Sequence, residues 1–178
     1  MSYFLKIINL NRIRKKKFKI VVDAVNGAGA LALPQLLDSL GCEVIPLHCE
    51  PSGEFVRGTE PLPSNLIDLC DNVKKHQADA GFAIDPDADR LALVNEKGIP
   101  LGEEYTLVIA AEGYLDEIEN PEKFVVNLST SLALEKLAET KGSSVERSAV
   151  GEINVVNKMN ELGSNLGGEG NGGVILRE

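Results

Sequence analysis

The stretch AIDPDADRLALV, Ala83 to Val94, places three aspartates in one short turn between two apolar runs. Ile84 before the turn and Leu91-Ala92-Leu93-Val94 after it read as buried strands, so the turn is pinned at both ends. Like charges a few ångströms apart oppose each other's ionisation unless something neutralises them. A solvated acidic turn is one reading, but a pinned turn cannot splay its carboxylates apart. An EF-hand-like calcium loop is a second: from Asp85 as position one, Asp87, Asp89 and Glu96 fall at three, five and twelve. Position six is then Arg90, where a sharp turn needs glycine, and no helix follows Glu96. The third reading is a Mg²⁺ site for phosphoryl transfer. Asp85, Asp87 and Asp89 offer three oxygens from one turn, and Arg90 can orient the acids or steady phosphate charge.

Working outward, the chain alternates strands with helices. Phe18 to Asp23 reads as a buried strand, Asn26-Gly27-Ala28-Gly29 as a turn, and Leu33, Leu36, Leu37 and Leu40 as a helical stripe stopped by Gly41. Cys42 to Leu47 is a second strand. A polar, proline-rich loop, Glu50 to Ser64, precedes a helix that Asn65 is expected to cap and that runs to about Gln77. Asp79 to Ile84 is the third strand, with the acidic turn at its C-terminal end, and Leu91 to Val94 the fourth. A turn at Glu96-Lys97-Gly98 and a helix from Glu103 to Leu115 follow. The pattern then begins again: strand Phe124–Leu128, helix Leu132–Lys141, strand Val145–Ala149, helix Ile153–Leu162, a stop at Gly163, and a glycine-rich turn between Leu166 and Ile175. The expectation is an α/β protein of two consecutive small domains, each a mostly parallel mixed sheet covered by helices. The divisions are a basic tail at 1–17, a first domain at 18–119 and a second at 120–178. The second is short for an α/β domain and is expected to be incomplete. Ligands in such sheets bind beyond the carboxyl ends of the strands, which is where the aspartates fall.

Composition narrows the function. The chain of 178 residues carries a net charge of −9, and every cation among its first 19 residues is unopposed by an acid. The rest is therefore still more acidic, which argues against nucleic acid as a partner. The apolar stretch at the start precedes its basic residues, the reverse of a secretory signal. A frayed tail is expected there, with a membrane-surface helix the alternative. No apolar run is long enough to span a bilayer. Cys42, Cys49 and Cys70 form no C-x-x-C pair and are expected to be buried free thiols in a cytoplasmic protein. His48 and His76 receive no catalytic role.

GFAIDPDADRLALV resembles the metal loop of the α-D-phosphohexomutase superfamily, the phosphoglucomutase, phosphomannomutase and phosphoglucosamine mutase group. VVDAVNGAGALALPQLLDSLGCEVIPL is similar to the start of that family's second domain, and GGEGNGGVI to the sugar-recognition loop of its third. The resemblance covers about residues 18–178. It implies interconversion of hexose 1-phosphates and 6-phosphates through an enzyme phosphoserine and a bisphosphorylated sugar. It also implies Mg²⁺ on Asp85, Asp87 and Asp89, a catalytic arginine at Arg90, and sugar contacts from Glu169 and Asn171. Glu152 is a weaker candidate facing the sugar. The family's G-E-x-S-G-H reads Gly168-Glu169-Gly170-Asn171-Gly172-Gly173 here, so the histidine contact is lost. A plain glycine hairpin is the bland alternative for that stretch. Arg57-Gly58-Thr59-Glu60-Pro61 looks like the family's R-x-S-G-T-E-P phosphate loop but falls in the wrong domain, and is read as an exposed loop. Asn26 to Gly29 is read as packing rather than a phosphate cradle. Ser129 and Ser131 are read as capping, because no serine stands in a T-A-S-H-N-P-like context. The expected partners are thus a hexose phosphate and the family's first and fourth domains, and the isolated chain is expected to be inactive. A non-catalytic metal- or sugar-phosphate-binding module is the alternative.

Overall fold

The computed structural model describes residues 10–177. The chain divides into two compact units. One runs to Ala88 and takes in Ala92–Leu101; the other holds Asp89–Leu91 and Gly102–Glu178.

In the first unit, α1 (Leu10–Lys16) leads into β1 (Lys19–Asp23), α2 (Ala32–Ser39) and β2 (Glu43–Leu47). A single 3₁₀ turn at Pro63–Asn65 precedes α3 (Ile67–His76), β3 (Ala80–Ile84) and β4 (Leu91–Asn95). The strand order is β2-β1-β3-β4. β1 runs parallel to both neighbours, with Val21 opposite Ile45 on one side and Gly81 on the other. The loop joining β3 to β4 is too short for a crossover and returns the chain antiparallel. Val21 and Val22 are fully buried because β1 is central and covered on both faces. Leu66, Leu69 and Val73 cover one face, and Leu37 and Leu40 the other.

The second unit repeats this plan. It comprises α4 (Glu104–Glu117), β5 (Lys123–Asn127), α5 (Ala133–Thr140), β6 (Ser144–Ser148), α6 (Glu152–Leu162), β7 (Leu166–Gly168) and β8 (Val174–Leu176). The order β6-β5-β7-β8 matches that of the first sheet. β5 is the buried central strand, parallel to β6 and β7, and β7–β8 is an antiparallel hairpin. Leu107, Ala111 and Leu115 of α4 join Phe124, Val126, Leu134 and Leu166 in one core, while Val155 and Met159 pack with Val125 on the other face.

Several expectations are corrected. The division expected at 119 puts helix α4 in the first domain, but its apolar side belongs to the second unit's core. Asn65 does not cap α3. Its Nδ2 donates to Glu60 O (2.9 Å), and Leu66 occupies the cap position with no side-chain cap bond. The proline at 63 starts a 3₁₀ turn that takes up the residues before the helix. The tail is not wholly frayed: Leu10 and Ile13 of α1 pack under β1 and α2, and Arg14 Nη2 donates to Ser39 O (2.9 Å). The remainder of the tail, residues 1–9, lies outside the described residues. The three cysteines are free, but only Cys70 is buried; Cys42 and Cys49 are half-buried. Desolvation raises all three thiols above their ordinary value, which makes them poor nucleophiles. Among the described residues no helix is long and apolar enough to cross a membrane.

Candidate metal and sugar site

The acidic turn begins where β3 ends. Asp85 is fully buried, whereas Asp87 and Asp89 are exposed. Their carboxylate oxygens lie within 4.8 Å of one another. Ala88 adopts a left-handed conformation (φ 66°), and its N–H donates to Asp85 O, so the turn folds back on itself and brings alternate side chains together. Three hard oxygen donors converging from one turn, with no thiolate or imidazole among them, suit Mg²⁺ or Ca²⁺ rather than a softer metal. Arg90 Nε stands 3.7 Å from Asp89 Oδ1 and supplies part of the counter-charge.

The loop 24–29 forms the wall behind this turn. Ala28 N–H donates to Pro86 O (2.8 Å). Gly27 lies against Pro86 so closely that a Cβ would sit 2.5 Å from the proline carbonyl oxygen. A Cβ on Gly29 would strike the Ile84 side chain. The packing role read for Asn26 to Gly29 holds, and what it packs is the acidic turn itself.

The stretch Arg57-Gly58-Thr59-Glu60-Pro61 is not merely an exposed loop. Arg57 turns inward and its side chain is only 7% exposed. Nε donates to Asp23 Oδ2 (2.9 Å), Nη2 to Ile84 O (2.8 Å) and Nη1 to Gly58 O (2.9 Å). Asp23, at the C-terminal end of β1, is itself fully buried, and His48 Nδ1 lies 3.3 Å from its Oδ2. Sequence reading missed Asp23, Arg57 and His48. The available signal was an aspartate closing a run of buried valines, since a buried charge needs a partner.

In the second unit, Asp89, Arg90, Glu152, Glu169, Asn171 and Gly173 line a shallow cleft. Glu169 follows β7. Its Oε1 accepts from Asn127 Nδ2 (2.6 Å) and Gly151 N–H (3.0 Å), and its Oε2 from Asn171 Nδ2 (3.3 Å). Asn171 Oδ1 accepts from Gly173 N–H, closing the hairpin. Asn127 was not singled out in the sequence, yet its Oδ1 gathers the N–H and hydroxyl of both Ser129 and Thr130. Thr130 Oγ1 then accepts from Gly170 N–H (3.1 Å). Ser129 therefore braces the strand end rather than capping a helix, and Ser131 Oγ receives only a long bond from Ala133 N–H (3.4 Å). Gly172 has φ 96°, and a Cβ there would lie 2.6 Å from Leu91 O, so the hairpin tip requires glycine. The stretch is a glycine hairpin, as one of the two expectations had it, and it carries the polar side chains of Glu169 and Asn171.

These features define a class: two repeated α/β units with a turn of three converging carboxylates at a strand end and a polar glycine hairpin. The comparisons narrow it. Residues 1–98 match the family model for phosphoglucomutase/phosphomannomutase, alpha/beta/alpha domain II, and residues 102–178 match that for alpha/beta/alpha domain III. The chain belongs to the phosphoglucomutase/phosphomannomutase family. A phosphoglucomutase/phosphomannomutase from Thermococcus kodakarensis is 37% identical over 170 residues, covering 95% of this chain and 37% of the relative. A phosphoglucosamine mutase from Paracoccus denitrificans is 36% identical over 167 residues, with 93% and 37% covered. The crystal structure of a phosphoglucomutase/phosphomannomutase family protein from Burkholderia thailandensis superposes with a TM-score of 0.85 at 30% identity, over 98% of this chain and 38% of that one. The chain spans little more than a third of the length of these relatives.

Proposed function

We propose that this chain supplies the metal-holding and sugar-recognising parts of a phosphohexomutase, which interconverts hexose 1-phosphates and 6-phosphates through an enzyme phosphoserine and a bisphosphorylated sugar. Asp85, Asp87 and Asp89 hold Mg²⁺, which supplies charge neutralisation to phosphoryl oxygens when bound. Arg90 orients Asp89 and adds a second positive charge. Glu169 presents Oε2 to a sugar hydroxyl while Oε1 stays committed to the protein, and Asn171 supplies an amide beside it. Glu152 stands on the rim of the same cleft. The substrate class is a hexose phosphate, and the relatives' names span glucose, mannose and glucosamine.

The observation that carries this reading is the convergence of three carboxylates from one turn. Thermal unfolding with and without Mg²⁺ tests it. A cation bound only by the folded chain at a hundredfold excess over its Kd stabilises by about 2.7 kcal/mol. The melting temperature should therefore rise with Mg²⁺, and Asp87→Asn should abolish the rise. A melting curve indifferent to Mg²⁺ in the unaltered chain would remove the metal from the proposal.

A further inference from the structure

We infer that Arg57 is a positioning residue for the metal turn, acting through the buried carboxylate of Asp23; this rests on the metal reading above. The two residues flanking Asp85 are held from one centre. On the N-terminal side, Arg57 Nη2 donates to Ile84 O (2.8 Å) while Nε is fixed on Asp23 Oδ2 (2.9 Å). On the C-terminal side, Asp23 Oδ1 accepts from Val25 N–H (2.9 Å). That bond shapes a loop in which Val25 and Asn26 take left-handed conformations (φ 46° and 56°), which non-glycine residues adopt only when held there. The same loop delivers Ala28 N–H to Pro86 O. One aspartate thus governs the carbonyl before Asp85 and the carbonyl after it.

Arg57 does not reach outward for phosphate. Its side chain is 7% exposed, Asp23 is 1% exposed, and each of its three nitrogens has an intramolecular acceptor. A planar guanidinium can satisfy a carboxylate and a backbone carbonyl at once, which a lysine ammonium cannot do in the same geometry. His48 Nδ1 is buried 3.3 Å from Asp23 Oδ2 without a hydrogen bond to it, so Arg57 is the side chain that holds that oxygen. Supports one step removed from metal ligands commonly govern affinity about 10- to 100-fold.

The test measures Mn²⁺ binding to the whole 178-residue chain from the paramagnetic resonance of free Mn²⁺, beside the melting temperature in metal-free buffer. Arg57→Lys keeps the charge but loses the fork, and Arg57→Met combined with Asp23→Asn removes both charges and leaves neither orphaned. The expected result is a Kd raised about tenfold or more in both variants while cooperative unfolding is retained. A variant that melts lower yet binds Mn²⁺ as the unaltered chain does shows a purely structural role and overturns the inference. Should the double variant fail to fold, Arg57→Lys alone decides. Asp87→Asn is the control: if the unaltered chain shows no Mn²⁺ binding that this substitution removes, the metal reading fails and the positioning role falls with it.

Discussion

Asp23 and Gly27 show how single residues outside the acidic turn shape it. Asp23 is a buried charge, tolerable only because Arg57 and the Val25 amide meet both its oxygens. Gly27 contributes by lacking a side chain, since its neighbour is the backbone of Pro86 inside the acidic turn. Backbone cannot swing aside as the end of a flexible side chain can. Gly27→Ala should therefore push the turn outward, costing about 1–3 kcal/mol in stability. Chemical denaturation would measure that loss, and Mn²⁺ affinity should fall in the same variant. An alanine variant with unchanged stability and affinity would mean that the turn is more compliant than its bonds indicate.

At the scale of elements, the segment after α4 is tied to its unit by Tyr114 and Glu122. The Tyr114 hydroxyl donates to Glu122 Oε1 (3.0 Å), which also accepts from Asn165 Nδ2 (2.8 Å) just before β7. The Tyr114 ring meets Phe124 of β5 edge-on. Desolvation first, and the Glu122 carboxylate second, raise the phenol above its usual range. The folded state thus holds this proton more tightly than the unfolded chain does. Its contribution is fully present below pH of about 10 and is lost as pH rises through the folded value. Phenolate absorbance should show a step displaced above the usual tyrosine range, and Tyr114→Phe should delete it. The same substitution should flatten the alkaline loss of stability. A Tyr114→Phe variant whose phenolate titration keeps that raised step would contradict the pairing with Glu122.

At the scale of the whole molecule, the two units repeat one topology yet place different chemistry at their strand ends. The first ends β3 in a turn of three converging carboxylates. The second ends β7 in a hairpin whose carboxylate is braced by Asn127. No serine of the chain stands in a T-A-S-H-N-P-like stretch, the setting that the proposed phosphoserine mechanism expects of its phosphoryl donor. The 178-residue chain alone should therefore not convert glucose 1-phosphate to glucose 6-phosphate in a dehydrogenase-coupled assay. Turnover above the uncatalysed rate would show that a different group here carries the phosphoryl, and would require another mechanism.

Strand and helix order, the turn at Asp85 to Asp89, the glycine hairpin and the family were all legible in the sequence. Each is written in short-range patterns: alternation of apolar runs, glycine at tight turns, and like charges crowded within five residues. Three other features were settled only in the tertiary structure. Arg57 proved to be a buried support rather than part of an exposed loop, Asn127 proved to brace Glu169, and α4 proved to belong to the second unit. They depend on pairings between residues tens of positions apart, Arg57 with Asp23 and Asn127 with Glu169. Local periodicity shows that a charge is buried but not which distant side chain answers it, because that choice is made when strands are laid side by side in the sheet.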